Sequence, residues 1–108
     1  MKTLTLAVKG IYFDQIRDGI KTNEYRLCTA YWLNRLENRH YDEVEITLGY
    51  PSRGDTARRL RFPYRGFRTT IITHEHFGPT PVMVLAIPLL RGDSPSHVQT
   101  ANSVVASV

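Results

Sequence analysis

Three ionisable residues lie close together in the sequence: Lys21, Glu24 and Arg26. Residues 22–27 alternate as a strand does, so Glu24 and Arg26 are predicted to share one face, about 7 Å apart along the strand. Lys21 falls in the turn before it, next to Gly19, whose conformational freedom suits the left-handed end of a helix. Charges gathered in this way need partners or water. The simplest interpretation is a salt bridge on an exposed strand face.

In a cleft, the same three side chains could do chemistry. The cations Lys21 and Arg26 would hold phosphate groups, and Glu24 would pair with either of them or accept a hydrogen bond from a base amine. A lysine near an arginine has a lowered pKa, which makes Lys21 a candidate base, and Glu24 could serve as an acid or a base. We therefore predict Lys21 and Glu24 as candidate catalytic residues and all three as nucleic-acid-binding residues.

A basic stretch from residue 53 to residue 68 holds six arginines against one acid, with Phe62, Tyr64 and Phe67 between them. A single-stranded nucleic acid binder needs this combination, because cations follow the phosphates and rings stack on bases. The composition is equally compatible with a solvated hairpin whose aromatic residues point into the core. We predict contacts with nucleic acid from Tyr50, Arg53 and Arg61.

His74 and His76 are predicted near the end of a strand over residues 68–76, on the same face as Ile72. Two histidines two residues apart can bind a metal ion, but the sequence offers no third ligand nearby, so we predict no metal and no cofactor. Either they donate hydrogen bonds at the rim of the cleft, or one of them is a satisfied buried imidazole.

Hydrophobic periodicity supplies the elements that must position these residues. A first strand over residues 3–9 leads into a helix over 11–18, and Thr29 is suited to cap a second helix, in which Trp32 is predicted to be structural. Further strands are predicted over residues 42–50 and 81–90, the last apolar on both faces and therefore central. Pro63 and Gly66 favour a hairpin or a bent edge strand in the basic stretch.

The chain has 108 residues, a net charge of +4 and eleven arginines against three lysines. Arginine pairs bidentately with phosphate, so the bias favours a phosphate-bearing partner, although an arginine-rich genome would produce it too. The single Cys28 indicates a reducing compartment, and no apolar run is long enough to span a bilayer, so we expect a cytoplasmic protein that does not bind membranes. We predict one domain over residues 1–90 and a flexible tail over 91–108.

The pattern Gly19-x-Lys21-x-x-Glu24-x-Arg26 resembles the G-x-K-x-x-E-x-R signature of the ASCH domain family, and the resemblance extends over roughly residues 3–88. Later stretches, including residues 49–51 and 72–78, resemble the ASCH proteins of bacteriophages and prophages. The resemblance implies an α+β fold, a small mixed PUA-like β-barrel of about five to six strands with two short helices. It also implies association with RNA.

Three functions follow as hypotheses. The first is an RNA-binding or nucleotide-binding module that uses the charged cleft. The second is a small hydrolase, either a ribonuclease or an acylated-nucleoside amidohydrolase, with Lys21 and Glu24 in the same cleft. The amidohydrolase branch carries a threonine at the position of Glu24, and this departure counts against that activity. The third is a phage accessory protein that binds a host protein through its basic face.

Overall fold

The computed structural model describes residues 1–91, which contain six strands and two α-helices. This confirms the predicted α+β class, while the predicted tail beyond Arg91 lies outside the described residues. The elements are β1 Thr3–Val8, α1 Gly10–Arg17, β2 Asn23–Leu27, α2 Ala30–Leu36, β3 Glu43–Leu48, β4 Arg59–Pro63, β5 Arg68–Ile72 and β6 Val82–Pro88, with 3₁₀ turns at Thr56–Arg58 and Glu75–Phe77.

The strands form two three-stranded sheets. In the first sheet, β1 pairs in parallel with β3, and β3 pairs antiparallel with β4. In the second, β6 lies between β2 and β5 and is antiparallel to both, which confirms its predicted central position. Within residues 1–91 no strand ladder joins the two sheets, so closure into a barrel stays a prediction.

Apolar side chains from both sheets and both helices form a single core cluster. Leu6 and Ile46 of the first sheet and Leu85 and Ile87 of the second are all inaccessible to solvent. The other buried members of the cluster are Leu4, Val8, Phe13, Ile16, Leu36, Val44, Phe62 and Leu89. Apolar contacts in the core, rather than backbone hydrogen bonds, therefore hold the two sheets together.

One prediction about the strands is wrong, and another holds in only one of its two alternatives. The strand predicted over residues 68–76 ends at Ile72, because the His74 side chain accepts a hydrogen bond from the His76 backbone N–H and starts a 3₁₀ turn. The basic stretch forms no hairpin, since β4 pairs with β3 whereas β5 pairs with β6 in the other sheet. The predicted edge position is confirmed for β4.

The end of α1 fixes the backbone of Lys21. Gly19 has a φ of 78°, and its N–H donates to the Ile16 carbonyl, while the N–H of Ile20 donates to the carbonyl of Gln15. These two bonds form a Schellman motif, and they confirm the predicted role of Gly19. The Lys21 N–H also donates to the Gln15 carbonyl, at 3.0 Å, so the helix end fixes the backbone position of this lysine.

The second helix starts where the sequence predicted. The hydroxyl oxygen of Thr29 accepts a hydrogen bond from the Trp32 backbone N–H at 3.3 Å, which confirms Thr29 as the N-cap. Neither helix in residues 1–91 has the length and apolar character needed to cross a membrane.

If the core joins the sheets, shortening a buried side chain of β6 should cost far more than shortening an exposed one. We expect Leu85→Ala to lower the free energy of unfolding by about 2–5 kcal/mol, since it leaves a cavity in the core. Met83→Ala is the matched control, because Met83 lies two residues away on β6 and its side chain is 52% exposed. Equal losses in urea denaturation would contradict this account of the core.

Candidate functional site

A cavity of about 750 Å³ lies where β1 and β3 end and β2 passes them. Four separate segments, together with Trp32 of α2, bring ionisable or aromatic side chains to it. The segments are the turn and strand at 21–27, the loop at 49–50, the turn at 74–77 and the start of α1. Its lining includes Lys9, Tyr12, Lys21, Glu24, Tyr25, Arg26, Trp32, Tyr50, His74, His76 and Phe77. This volume is within the usual range for small-molecule sites.

Lys21 is a buried ammonium held against aromatic rings. Its Nζ lies 4.6 Å from the centroid of the Tyr25 ring and 5.6 Å from that of Tyr12. A cation within about 6 Å of a ring centroid is attracted by the electron density of the ring face. Oε1 of Glu24 lies 3.8 Å from the same nitrogen. The rings replace part of the hydration that Lys21 loses through burial.

Arg26 links the two sheets across the cavity. One of its terminal nitrogens donates to the Ala7 carbonyl of β1 at 2.9 Å and lies 2.9 Å from Oε2 of Glu24. Its guanidinium carbon also lies 5.0 Å from the centroid of the Trp32 ring. Since Glu24 and Arg26 alternate with Tyr25 along β2, the predicted sharing of one strand face agrees with their contact.

Burial changes how readily the charged groups hold protons. Burial lowers the pKa of Lys21, an effect that the Glu24 carboxylate opposes and the Arg26 charge strengthens. Burial raises the pKa of Glu24, and the two cations oppose that change. The guanidinium at 2.9 Å favours the ionised carboxylate. Two cations therefore share one carboxylate at Oε1 and Oε2, which leaves an excess of positive charge in the wall of the cavity.

Aromatic and imidazole rings form the opposite rim. The Tyr12 ring contacts both His74 and His76, with centroids 5.9 and 6.0 Å apart, and Phe77 lies 5.0 Å from His76. Partial burial lowers the pKa of His76, and the nearby charges, Lys9 foremost, lower it further. Burial also raises the pKa of Tyr12. The neutral imidazole of His76 is thus favoured, and it can both donate and accept hydrogen bonds.

Six of the eight residues predicted for the site line this cavity: Lys21, Glu24, Arg26, Tyr50, His74 and His76. Arg53 and Arg61 do not. They line a second hollow beside Glu45 and Arg59, on the outward side of β3 and β4. Arg61 contacts Glu43 and lies 3.0 Å from Oε2 of Glu45. These ion pairs explain why the outward-facing Glu45 is buried on β3.

Sequence reasoning missed several lining residues. The sequence patterns predict no binding role for Tyr12 or Tyr25, and they predict a structural role for Trp32. Trp32 does pack against the core, and it also borders the cavity beneath Arg26. The sequence does place one tyrosine before Lys21 and another after it. Their proximity to Lys21 becomes evident only once the turn at Gly19 is known in three dimensions.

Within the described part of the chain, no three His, Cys, Asp or Glu side chains lie close enough to hold a metal ion. The two rim histidines have ring centroids 6.4 Å apart, and Nδ1 of His74 already accepts the His76 backbone N–H. This hydrogen bond uses the lone pair that a metal ion would need at that nitrogen.

Removing the shared carboxylate should destabilise the protein. Glu24→Gln leaves Lys21 and Arg26 without their counter-charge in a buried site, so we expect a loss of about 3–5 kcal/mol in the free energy of unfolding. The double variant Glu24→Gln/Lys21→Met should recover part of this loss, because it removes one unpaired cation. Glu37→Gln, at an exposed position, is the matched control. Equal effects of Glu24→Gln and Glu37→Gln in chemical denaturation would refute the shared-carboxylate account.

The lowered pKa of Lys21 also predicts a pH dependence. Between that pKa and the ordinary value of 10.5, the unfolded chain binds more protons than the folded chain. The contribution of Lys21 to stability therefore rises with pH through this window and is lost as the pH falls through it. Denaturation at a series of pH values below 10.5 should show a shallower rise for Lys21→Met than for wild type. Parallel curves for Lys21→Met and wild type would be the contrary result.

Comparison with protein-family models, curated proteins and solved structures gave no match to this chain. The resemblance to the ASCH family thus rests on the sequence patterns alone. Its residues Lys21, Glu24 and Arg26 are the ones that meet in the wall of the cavity.

Proposed function

We propose that this chain binds single-stranded RNA, or a nucleotide, by holding a phosphate group in the cavity around Lys21 and Arg26. The observation that carries the proposal is the convergence of six predicted binding residues, from separate stretches of the chain, on one hollow. The motif resemblance favours RNA over DNA. The same proposal includes an ASCH-type identity, a PUA-like barrel formed by the two sheets and a cytoplasmic location.

The charge of the cavity suits an anion. Lys9, Lys21 and Arg26 line it against the single carboxylate of Glu24, among the described residues. Electrostatic attraction is stronger where burial excludes water, and Lys21 and Glu24 are both more than nine-tenths buried. A bound phosphate would add to the counter-charge that Lys21 shares with Arg26 and would raise the pKa of Lys21 towards its ordinary value. Binding would therefore relieve part of the cost of burying this ammonium.

Aromatic surface beside the charges suits a base. Tyr50 is 95% exposed at the edge of the cavity, while Trp32 and Phe77 are partly buried in its lining. Base–aromatic stacking is tolerant of sequence, because every base has a π face. Phosphate contacts from the cations would then fix the position of the RNA strand, and Tyr50 would stack on a base next to the bound phosphate.

The proposal predicts salt-sensitive binding that depends on the cavity cations. We expect micromolar affinity for a labelled single-stranded RNA, a large loss for Arg26→Met, and a salt slope smaller by about 0.7 for each phosphate contact removed. Arg17→Met removes the same charge from an arginine that does not line the cavity and should leave affinity nearly unchanged. Fluorescence anisotropy at two salt concentrations measures this, and no binding at high protein concentration would exclude the function.

A second candidate function is cleavage of RNA. The observation favouring it is the environment of Lys21, whose pKa is lowered and whose Nζ lies 3.8 Å from the Glu24 carboxylate. His76, whose pKa is also lowered, lies on the facing rim. Such groups could take a proton from a 2′-hydroxyl and stabilise the developing charge. Hydrolysis of acylated nucleosides has less support, since Thr22 is buried outside the cavity and the Thr29 hydroxyl caps a helix.

Incubation with RNA and with N4-acetylcytidine distinguishes binding from catalysis. If the chain is a ribonuclease, Lys21→Ala and Glu24→Gln should each abolish cleavage, and Arg17→Met should not. Intact RNA after prolonged incubation with wild type leaves the binding function alone. A third possibility, capture of a host protein through the basic face, is separated from an RNA bridge by pull-downs with and without nuclease.

A further inference from the structure

The second hollow has a volume of about 720 Å³, and its lining includes Pro51 and Arg53 of the loop that carries Tyr50. Three arginines and one carboxylate supply its charged lining: Arg53, Arg59, Arg61 and Glu45. Glu43 pairs with Arg61 from beside the hollow, and Asp55 pairs with Arg58 nearby. Even with Glu43 counted, the cations of the hollow outnumber its carboxylates.

Hydrogen bonds fix the loop between the two hollows at both ends. At one end, the Gly49 N–H donates to the Val8 carbonyl and the Gly49 carbonyl accepts from the Thr47 hydroxyl, at 3.2 and 2.8 Å. At the other end, Arg59 donates to the carbonyls of Pro51 and Ser52, at 3.1 and 2.9 Å. Arg59 is itself held by Glu45 at 3.0 Å. Hydrogen bonds to neighbouring segments therefore fix the loop on both sides of Tyr50.

This arrangement places an exposed ring between two cationic hollows. Gly49 and Tyr50 line the first cavity, and Pro51 and Arg53 line the second hollow. Three residues of chain span at most about 11 Å, so the backbones of Tyr50 and Arg53 are no farther apart than that. A ring with cations on both sides has the pattern of single-stranded nucleic acid binding surfaces.

We propose that a single strand of RNA occupies both hollows at once and crosses the loop over Tyr50. One phosphate lies at Lys21 and Arg26, a base stacks on Tyr50, and a following phosphate lies at Arg53 with support from Arg61. This inference rests on the proposed function and goes further, because it identifies the ligand as an oligonucleotide rather than a mononucleotide. It also gives Arg53 and Arg61 a role outside the first cavity.

The test compares uridine 5′-monophosphate with oligouridylates of about two to eight nucleotides. Affinity should rise with length until the strand reaches both hollows and should then level off. Arg53→Ala should weaken binding of the longest oligomer and lower its salt slope by about 0.7, with no effect on the monophosphate. Tyr50→Ala should weaken the oligomer about five-fold or more, and Tyr50→Phe, which keeps the ring, should restore it.

Arg17→Ala is the matched control for charge, because Arg17 lines neither hollow. Arg53 is preferred to Arg61 as the test position, since Arg61 pairs with Glu45 and its removal would disturb the fold. If the monophosphate binds but affinity does not rise with length, or if Arg53→Ala acts no more strongly than Arg17→Ala on the oligomer, the two-hollow track is wrong and the first cavity stands. If neither ligand binds, both proposals fall.

Discussion

Glu24 is a buried carboxylate that pairs with two cations, the buried Lys21 and the half-buried Arg26. Oε2 faces Arg26 at 2.9 Å and Oε1 faces Lys21 at 3.8 Å, while the rings of Tyr12 and Tyr25 lie beside the lysine. Taking three charges out of water costs several kcal/mol for each ion unless close partners compensate. The two cations offset part of the cost of burying Glu24, and the single carboxylate offsets part of the cost of burying them.

The fold supplies the fixed points for this charged group. The Schellman turn at the end of α1 sets the backbone of Lys21, and the alternation of β2 sets Glu24 and Arg26 two residues apart. Arg26 then reaches the Ala7 carbonyl in the opposite sheet. The cavity exists because the two sheets meet through side chains and leave space at one end of the core. Lys9, Lys21 and Arg26 line that space, with Glu24 as the one carboxylate of the described lining.

Local features of this structure were predictable, and features set by distant contacts were not. The left-handed Gly19, the Thr29 cap and the central β6 each follow from a residue type and its immediate neighbours. The separation of β4 and β5 into different sheets depends on which strands they meet, and a single sequence does not encode that in any short pattern. The same limit applies to the site. The proximity of Lys21, Glu24 and Arg26 was predictable from the sequence, whereas the position of Arg53 outside the first cavity was not.

Nuclear magnetic resonance mapping with uridine 5′-monophosphate tests the central claim most directly. The account predicts saturable shifts for the backbone amides of residues around the cavity, together with a rise in the pKa of His76 as a bound phosphate offsets the nearby cations. Shifts confined to other surfaces of the domain, or a spectrum unchanged at millimolar ligand, would contradict the claim that the shared carboxylate and its two cations form an anion site.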